Sequence, residues 1–273
     1  MTFLNETLAG TGGDPAANDR NRFVTSAPMT QVTIDLDSVN AKLEGAPASR
    51  IVEWAVEAFG DGLVLTTSFG VQSTVMLHLV TRIHPGISVL WIDTGFNFPA
   101  TYRFAKDLTR RLSLNLRIYQ SHLSPARMVA LHGRLWEQGK EGLDKYDRIR
   151  KLDPRDRAFD DLKVRGWLSG PRHDQTELRK NMRIVEKSNT VYAVHPILHW
   201  AAKDVHDYLR KNDLPAHPLH EKGYASIGDW HSTLPVGGDL DERTGRFAGL
   251  KQECGLHLPE TSEEDDSRMA SGL

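Results

Sequence analysis

One cysteine occurs in the 273 residues, Cys254, and it stands in Lys251-Gln252-Glu253-Cys254-Gly255-Leu256-His257. A single thiol cannot close an intrachain disulfide, nor can it alone supply the four thiolates of an iron–sulfur cluster. What remains is a buried filler, a bystander or a nucleophile. A buried cysteine normally has apolar neighbours. This one is flanked by Lys, Gln, Glu, Gly and His with no strand or helix period, a setting that favours a reactive thiol over a core thiol. Read in isolation, the segment is better explained as a solvent-facing cysteine without a role; the rest of the chain tips the balance.

Two further stretches have residue types suited to an anion or a nucleotide. Ser68-Phe69-Gly70-Val71-Gln72-Ser73 joins an apolar run to a helical period. A helix N-terminus there offers unpaired N–H groups and a positive dipole end. Gly70 lets backbone approach a ligand, and Ser68 and Ser73 add hydroxyls. An ordinary strand-to-helix turn with Ser73 as N-cap explains the segment equally well, since it is neither a Walker A loop nor a GxGxxG turn. In Asp93-Thr94-Gly95-Phe96-Asn97-Phe98-Pro99, a carboxylate, a glycine turn and two aromatics could hold a ribose or adenine. A capped helix start, with Phe96 and Phe98 in the core, is the plainer explanation and the preferred one for the aromatics.

The elements that must position these residues are legible from periodicity. Ala48 to Phe59 has helical spacing and stops at Gly60. Leu63–Thr67 reads as a buried strand, with Ser88–Ile92 a second and Asn115–Tyr119 a third, beginning 25 and 27 residues apart. Helices are expected between them, over Ser73–Ile83 and from Pro99 toward Arg111. That spacing fits βαβ crossovers and a parallel sheet. Helices at Pro125–His132, Asp156–Val164 and Lys203–Asn212 and strands at Gly166–Ser169 and Val191–Val194 follow, and regular patterning fades after Pro215. The expected fold class is α/β, an open mostly parallel sheet flanked by helices. Ligands of such sheets bind beyond the carboxyl ends of the strands.

The composition suits one large domain, or one with appendages: 39% apolar residues and a mean hydropathy of −0.44. Formal charge is −2, so an anionic ligand must be held by local clusters of Lys and Arg, and no nucleic-acid partner is expected. No apolar run approaches the ~18–20 residues of a membrane span. The N-terminus lacks the basic-then-apolar order of an export signal, which with the single thiol points to the cytoplasm. Met29 precedes a more ordinary start and is a candidate initiator. His217/His220 and His195/His199 lack an HExxH pattern or accompanying thiols, so they read as loop or core histidines and no metal is expected.

Taken together, these segments resemble the phosphoadenylyl-sulfate (PAPS) and adenylyl-sulfate (APS) reductase family of assimilatory sulfate reduction. The likeness runs from about Leu63 to His257. It includes the modified PP-loop Ser68–Ser73, Ile92-Asp93-Thr94-Gly95-Phe96 and Lys145-Tyr146-Asp147-Arg148-Ile149-Arg150-Lys151. It continues in Gly223-Tyr224-Ala225-Ser226-Ile227-Gly228-Asp229 and ends in the highly specific Gly249-Leu250-Lys251-Gln252-Glu253-Cys254-Gly255-Leu256-His257. The resemblance implies an adenine nucleotide α-hydrolase-like fold, usually in a homodimer, with a mobile C-terminal tail. The expected divisions are a flexible arm at 1–28, the α/β reductase domain at 29–238 and a tail at 239–273 with a disordered acidic end.

By motif position, the resemblance assigns Cys254 the attack on the terminal sulfur of the substrate. The product is a cysteine S-sulfonate, which thioredoxin or glutaredoxin resolves to sulfite. Lys151, Arg179, Arg243 and Arg246 match positions that clamp the phosphosulfate, and Arg172 is a fifth candidate. His257 is assigned a sulfonate oxygen or the thiolate. Any one of these cations read singly is explained as well by a solvated surface charge. Family members that reduce APS carry two cysteine pairs for a four-iron cluster; the matching positions here are Tyr146, Asp147, Asp229 and Ser232, so no cluster is expected. PAPS is the preferred substrate and APS the alternative. Trp230 and His231 either pack over the nucleotide or anchor their loop. An ATP-using PP-loop enzyme would need Ser-Gly-Gly-x-Asp-Ser, which Phe69, Val71 and Gln72 break; a catalytically silent nucleotide-binding protein is the remaining rival.

The arginines are expected to matter more than thiol acidity. A cysteine of pKa ~8.5 is about 3% thiolate at pH 7. Lowering the pKa to ~7 raises that roughly sixteen-fold, but lost nucleophilicity returns about fivefold. Positioning and charge stabilisation each contribute several kcal/mol.

Overall fold

The computed structural model describes residues 33–236. The expectations for the arm at 1–28 and the tail at 239–273, with Arg243, Arg246, Cys254 and His257, lie outside these residues. By compactness the chain divides into Met1–Ile34 and Asp35–Leu273, and the second unit carries everything below.

Its helices are α1 (Leu36–Leu43), α2 (Ala48–Phe59), α3 (Ser73–Ile83), α4 (Pro99–Arg111), α5 (Pro125–His132), α6 (Gly139–Asp147), α7 (Asp153–Asp161) and α8 (Ala202–Lys211). A single π-helical turn, Arg148–Leu152, joins α6 to α7. The strands are β1 (Leu63–Thr67), β2 (Ser88–Ile92), β3 (Asn115–Tyr119), β4 (Gly166–Leu168), β5 (Val185–Ser188) and β6 (Val191–Val194). They form one sheet in the order β3-β2-β1-β4-β6-β5, parallel throughout except for β5. This is the open, mostly parallel α/β sheet expected from the strand spacing.

Side-chain alternation sorts the helices onto two faces. Val64, Trp167 and Ala193 cluster with Val164 and with Phe159 and Leu162 from the α7 segment. On the opposite face Leu63 pairs in register with Gly166 and Leu65 with Leu168, and α2 lays Phe59 over them. Any Cβ at position 166 would sit 2.6 Å from the Phe59 ring, so glycine there admits the aromatic to the sheet. Phe59 then reaches Tyr192 of β6, with ring centroids 5.7 Å apart.

Sequence periodicity did not reveal α1, α6 or β5. The first is short and capped by Asp35, whose carboxylate accepts from the Asp37 and Ser38 N–H groups. Helix α6 has two glycines and five charges in nine residues, poor helix composition; burial of Leu143 and Tyr146 holds it. Strand β5 is Val-Glu-Lys-Ser, without the apolar run of a central strand. Its outer edge is met by Asn40 of α1. The Asn40 amide donates to the Val185 carbonyl at 2.9 Å, and its oxygen accepts from the Val185 N–H at 3.0 Å.

Candidate active site

A cleft of about 230 Å³ opens at the carboxyl ends of β1, β2 and β4. Chain order reverses there: β2 lies on one side of β1 and β4 on the other, the switch point where open α/β sheets bind ligands. Its walls are partly apolar, with Met76, Leu90, Ile92, Phe159 and Trp167, and the two charged side chains among its described lining residues are Arg155 and Arg179. An apolar pocket with few convergent cations fits a flat base bearing anionic groups.

The Ser68–Ser73 loop forms one wall. Phe69 adopts φ +50, a left-handed conformation that costs a bulky residue on the order of 1 kcal/mol or more. Full burial of the ring, edge-on to Trp91 at 4.9 Å, returns roughly 2–3 kcal/mol, so the strained turn is held. Ser68 is exposed in the cleft and Gly70 lines it. The Ser73 hydroxyl donates back to the Gly70 carbonyl at 2.8 Å, and Gln72 rather than Ser73 occupies the N-cap of α3. The first turn of α3 has no acidic residue, so its dipole faces the cleft undiminished.

Arg179 is 6% exposed on a 3-10 turn and lines the cleft, its guanidinium donating to Gln175. The same Gln175 oxygen accepts from the Arg172 N–H at 3.1 Å. Arg172 is fully buried and forks onto Asp174 at 3.0 and 3.4 Å, and it does not line the cleft. Arg155 was not singled out by sequence. It lies four residues after Lys151, the one available signal, and packs over Phe159 while contacting Asp156 at 2.7 Å.

Asp93 and Lys151 are likewise outside the cleft lining, in the buried network beside it. The Asp93 carboxylate accepts from Gly95 N (2.9 Å), Asn97 (3.0 Å), Tyr102 (2.8 Å) and Gln120 (2.6 Å), which fixes the β2–α4 loop. Burial and then the Asp93 contact push the Tyr102 phenol up to about 12, so it remains a donor. Lys151 sits on the π-helical turn, 2.7 Å from Asp147 and 3.6 Å from Asp229. Asp229 also accepts from Tyr146 at 2.9 Å and from Thr94. Burial first, then Asp229, pushes the Tyr146 hydroxyl well above its ordinary value. The network therefore joins Asp229 to Tyr146 and Asp147, the nearer of which lies 82 residues before it in sequence.

The loop from Gly223 closes the site. Ala225, Ser226 and Ile227 line the cleft, and Trp230 N–H donates to Phe96 O at 2.9 Å. His231 stacks on Trp136 at 4.1 Å beside Phe96 and Tyr146, while Trp230 is half exposed. Neither lines the cleft; both tie the loop to the hydrophobic cluster of Phe96, Leu135 and Tyr146. No helix of the described residues is long and apolar enough to cross a membrane.

Comparison with known proteins agrees with this geometry. A phosphoadenosine 5'-phosphosulfate reductase of Synechococcus sp. is 54% identical over 84% of this chain and all of its own length. A crystal structure of phosphoadenylyl-sulfate reductase from Candida auris, a phosphate complex, superposes with a TM-score of 0.66 at 29% identity, covering 75% of this chain and 100% of that one. The FMN adenylyltransferase of Candida glabrata, at 13% identity, TM-score 0.55 and coverage of 88% and 84%, shares the fold alone. Residues 62–235 match the phosphoadenosine phosphosulfate reductase domain. From the sheet's switch point to the Gly223 loop, the chain belongs to the phosphoadenosine phosphosulfate reductase family and is an enzyme of the reductase class.

Proposed function

We propose that the protein reduces PAPS to sulfite and adenosine 3',5'-bisphosphate in sulfate assimilation, with Cys254 as nucleophile. The observation that carries this reading is the cleft at the sheet's switch point, with apolar walls for a base and the buried Arg179 beside the Ser68–Ser73 loop. The Cys254 thiolate attacks the substrate's sulfur. An S–S bond forms, the S–O bond to phosphate breaks, and the nucleotide leaves with the electron pair. A thiolate of thioredoxin then attacks the Cys254 sulfur and expels sulfite with its electron pair. The second thioredoxin thiol closes that protein's disulfide and returns Cys254 to the thiol. Sulfur falls from the +6 to the +4 state and one dithiol is oxidised.

The clamp consists of Ser68, Gly70, Ser73 and Arg179 on the sheet side, with Arg155 beside them. Arg243, Arg246 and His257 act from the tail. Lys151, Arg172 and Asp93 support the walls by the contacts described. A four-iron cluster does not fit this chain. The positions that match its ligands hold a phenol, two carboxylates and a hydroxyl, and Lys151 already pairs with both carboxylates. This donor set supports PAPS over APS. Cytoplasmic location, thioredoxin as donor and a homodimer complete the proposal.

The test is intact-mass spectrometry of reductant-free protein after incubation with PAPS or APS. The expected result is one added sulfonate on Cys254, formed faster from PAPS, with none in Cys254→Ser, which still binds nucleotide. Unmodified wild-type protein would refute the chemistry, and faster modification by APS would refute the substrate.

A further inference from the structure

Gly223 to Val236 form an Ω-loop, a compact loop with joined ends; the Val236 N–H donates to the Gly223 carbonyl at 2.8 Å. Along one side Ala225, Ser226 and Ile227 line the cleft. A Cβ at position 70 would lie 3.5 Å from the Ile227 carbonyl, so this side rests on the Ser68–Ser73 loop. The other side is held by Asp229, which is 2% exposed. Its carboxylate gathers two hydroxyls and a cation from three separate segments: Thr94 beyond β2, Tyr146 of α6 at 2.9 Å and Lys151 of the π-helical turn at 3.6 Å. Backbone contacts add the Asn97–Asp229 bridge and the bond from Trp230 N–H to the Phe96 carbonyl. Lys151 lies closer to Asp147, at 2.7 Å. The cation therefore keeps a partner whether or not Asp229 is in place, and the loop can leave without stranding a buried charge.

We propose that Asp229 is a positioning residue, a latch that holds the cleft-lining loop in its ligand-binding place through Thr94, Tyr146 and Lys151. The inference rests on the nucleotide reading above and adds to it the residue that sets one wall of that site. Binding needs the latched loop, so a weaker latch raises the apparent KM by the inverse of the latched fraction. It leaves kcat in place, because kcat reads the bound and latched state. Loss of folded protein does the reverse and lowers the apparent kcat at unchanged KM. Hydrogen bonds to a charged group shift an equilibrium of this kind by roughly ten- to a hundredfold.

Asp229→Asn in the full chain tests it, since the new amide keeps the shape but must turn its NH2 toward one of these donors. Brief trypsin digestion read by mass spectrometry compares two exposed lysines. Lys222 adjoins the neck of the loop at Gly223, and Lys163, between α7 and β4, reports opening of the domain as a whole. Where reclosing outpaces cleavage, each cut follows the population of its open form. The variant is expected to speed the Lys222 cut by at least about tenfold relative to the Lys163 cut. In sulfite release from PAPS with thioredoxin, it should raise KM severalfold while holding kcat. Tyr146→Phe, which removes one of the three partners, should act in the same direction and less strongly. Equal acceleration of both cuts, or of neither, overturns the proposal, as does a fall in kcat at unchanged KM. If the wild type releases no sulfite from PAPS, the functional reading fails, and the ratio of the two cuts still decides the latch.

Discussion

His217 should make the fold acid-labile in a defined window. It is 1% exposed beneath the chain that leads to the Gly223 loop. Its Nδ1 accepts from the Leu219 N–H at 3.1 Å, its Nε2 lies 3.1 Å from the Thr101 hydroxyl, and its ring packs edge-on to Phe104 at 4.9 Å. Protonating Nδ1 would break the Leu219 bond and place a charge in an apolar site, and burial lowers the imidazole to about 4. Because the folded value lies below the unfolded ~6.5, the unfolded chain binds more protons between the two. The contribution is full above pH 6.5 and is lost as pH falls toward 4. At pH 5 the linkage relation gives a loss of about 2 kcal/mol relative to pH 7.5. With a urea m-value of roughly 2 kcal/mol/M, that is a midpoint shift of about 1 M. Other groups also titrate, so the measurement is the difference between wild type and His217→Gln, whose amide can accept from Leu219 and donate to Thr101 without titrating. Urea melts at pH 7.5 and 5.0 should show the wild type losing about 2 kcal/mol more than the variant. Equal losses would refute the assignment of the acid sensitivity to this imidazole.

Three other outcomes are expected. Lys151→Met removes the cation between Asp147 and Asp229, both 3% exposed at the side chain. It should cost about 3–5 kcal/mol by urea denaturation, partly restored by adding Asp147→Asn; an unchanged midpoint would show the network is not held by charge. Gly95→Ala meets φ +76 and a Cβ only 2.6 Å from Pro125 and 3.0 Å from Arg150. The expected cost is about 2–4 kcal/mol, and a loss under about 1 kcal/mol would mean the Asp93 loop yields easily. Arg179→Ala should weaken adenosine 3',5'-bisphosphate binding by ~10- to 100-fold and flatten its salt dependence; wild-type calorimetry in that variant would remove Arg179 from the clamp.

The central strands were readable because parallel strands inside a sheet are buried on both faces and appear as short apolar runs, and the exposed edge strand Asn115–Tyr119 was readable from its spacing to them. Leu63–Thr67, Ser88–Ile92 and Asn115–Tyr119 are found at those bounds. The loop beyond β1 was readable because strand-to-helix turns at that edge are where ligands sit. Residues whose meaning depends on distant partners were not. Asp93 has the residue type of a nucleotide ligand, yet four donors from Gly95, Asn97, Tyr102 and Gln120 converge on it. Arg155 looked like any surface charge until the π-helical turn and α7 carried it to the cleft wall. His195 read as a loop or core histidine, and nothing in its neighbours along the chain announced its contacts with Ser169 and Glu186.

The contact between Asn40 and Val185 also bears on assembly. A side-chain amide there copies the donor and acceptor of a neighbouring peptide, so the outermost strand already has a surrogate partner at that residue. By alternation the next outward-facing backbone belongs to Lys187, an exposed cation that discourages another strand from docking. Two copies of this chain would therefore meet through helices or loops, and a stacked, sheet-extending aggregate growing from this border is disfavoured while the first helix stays in place.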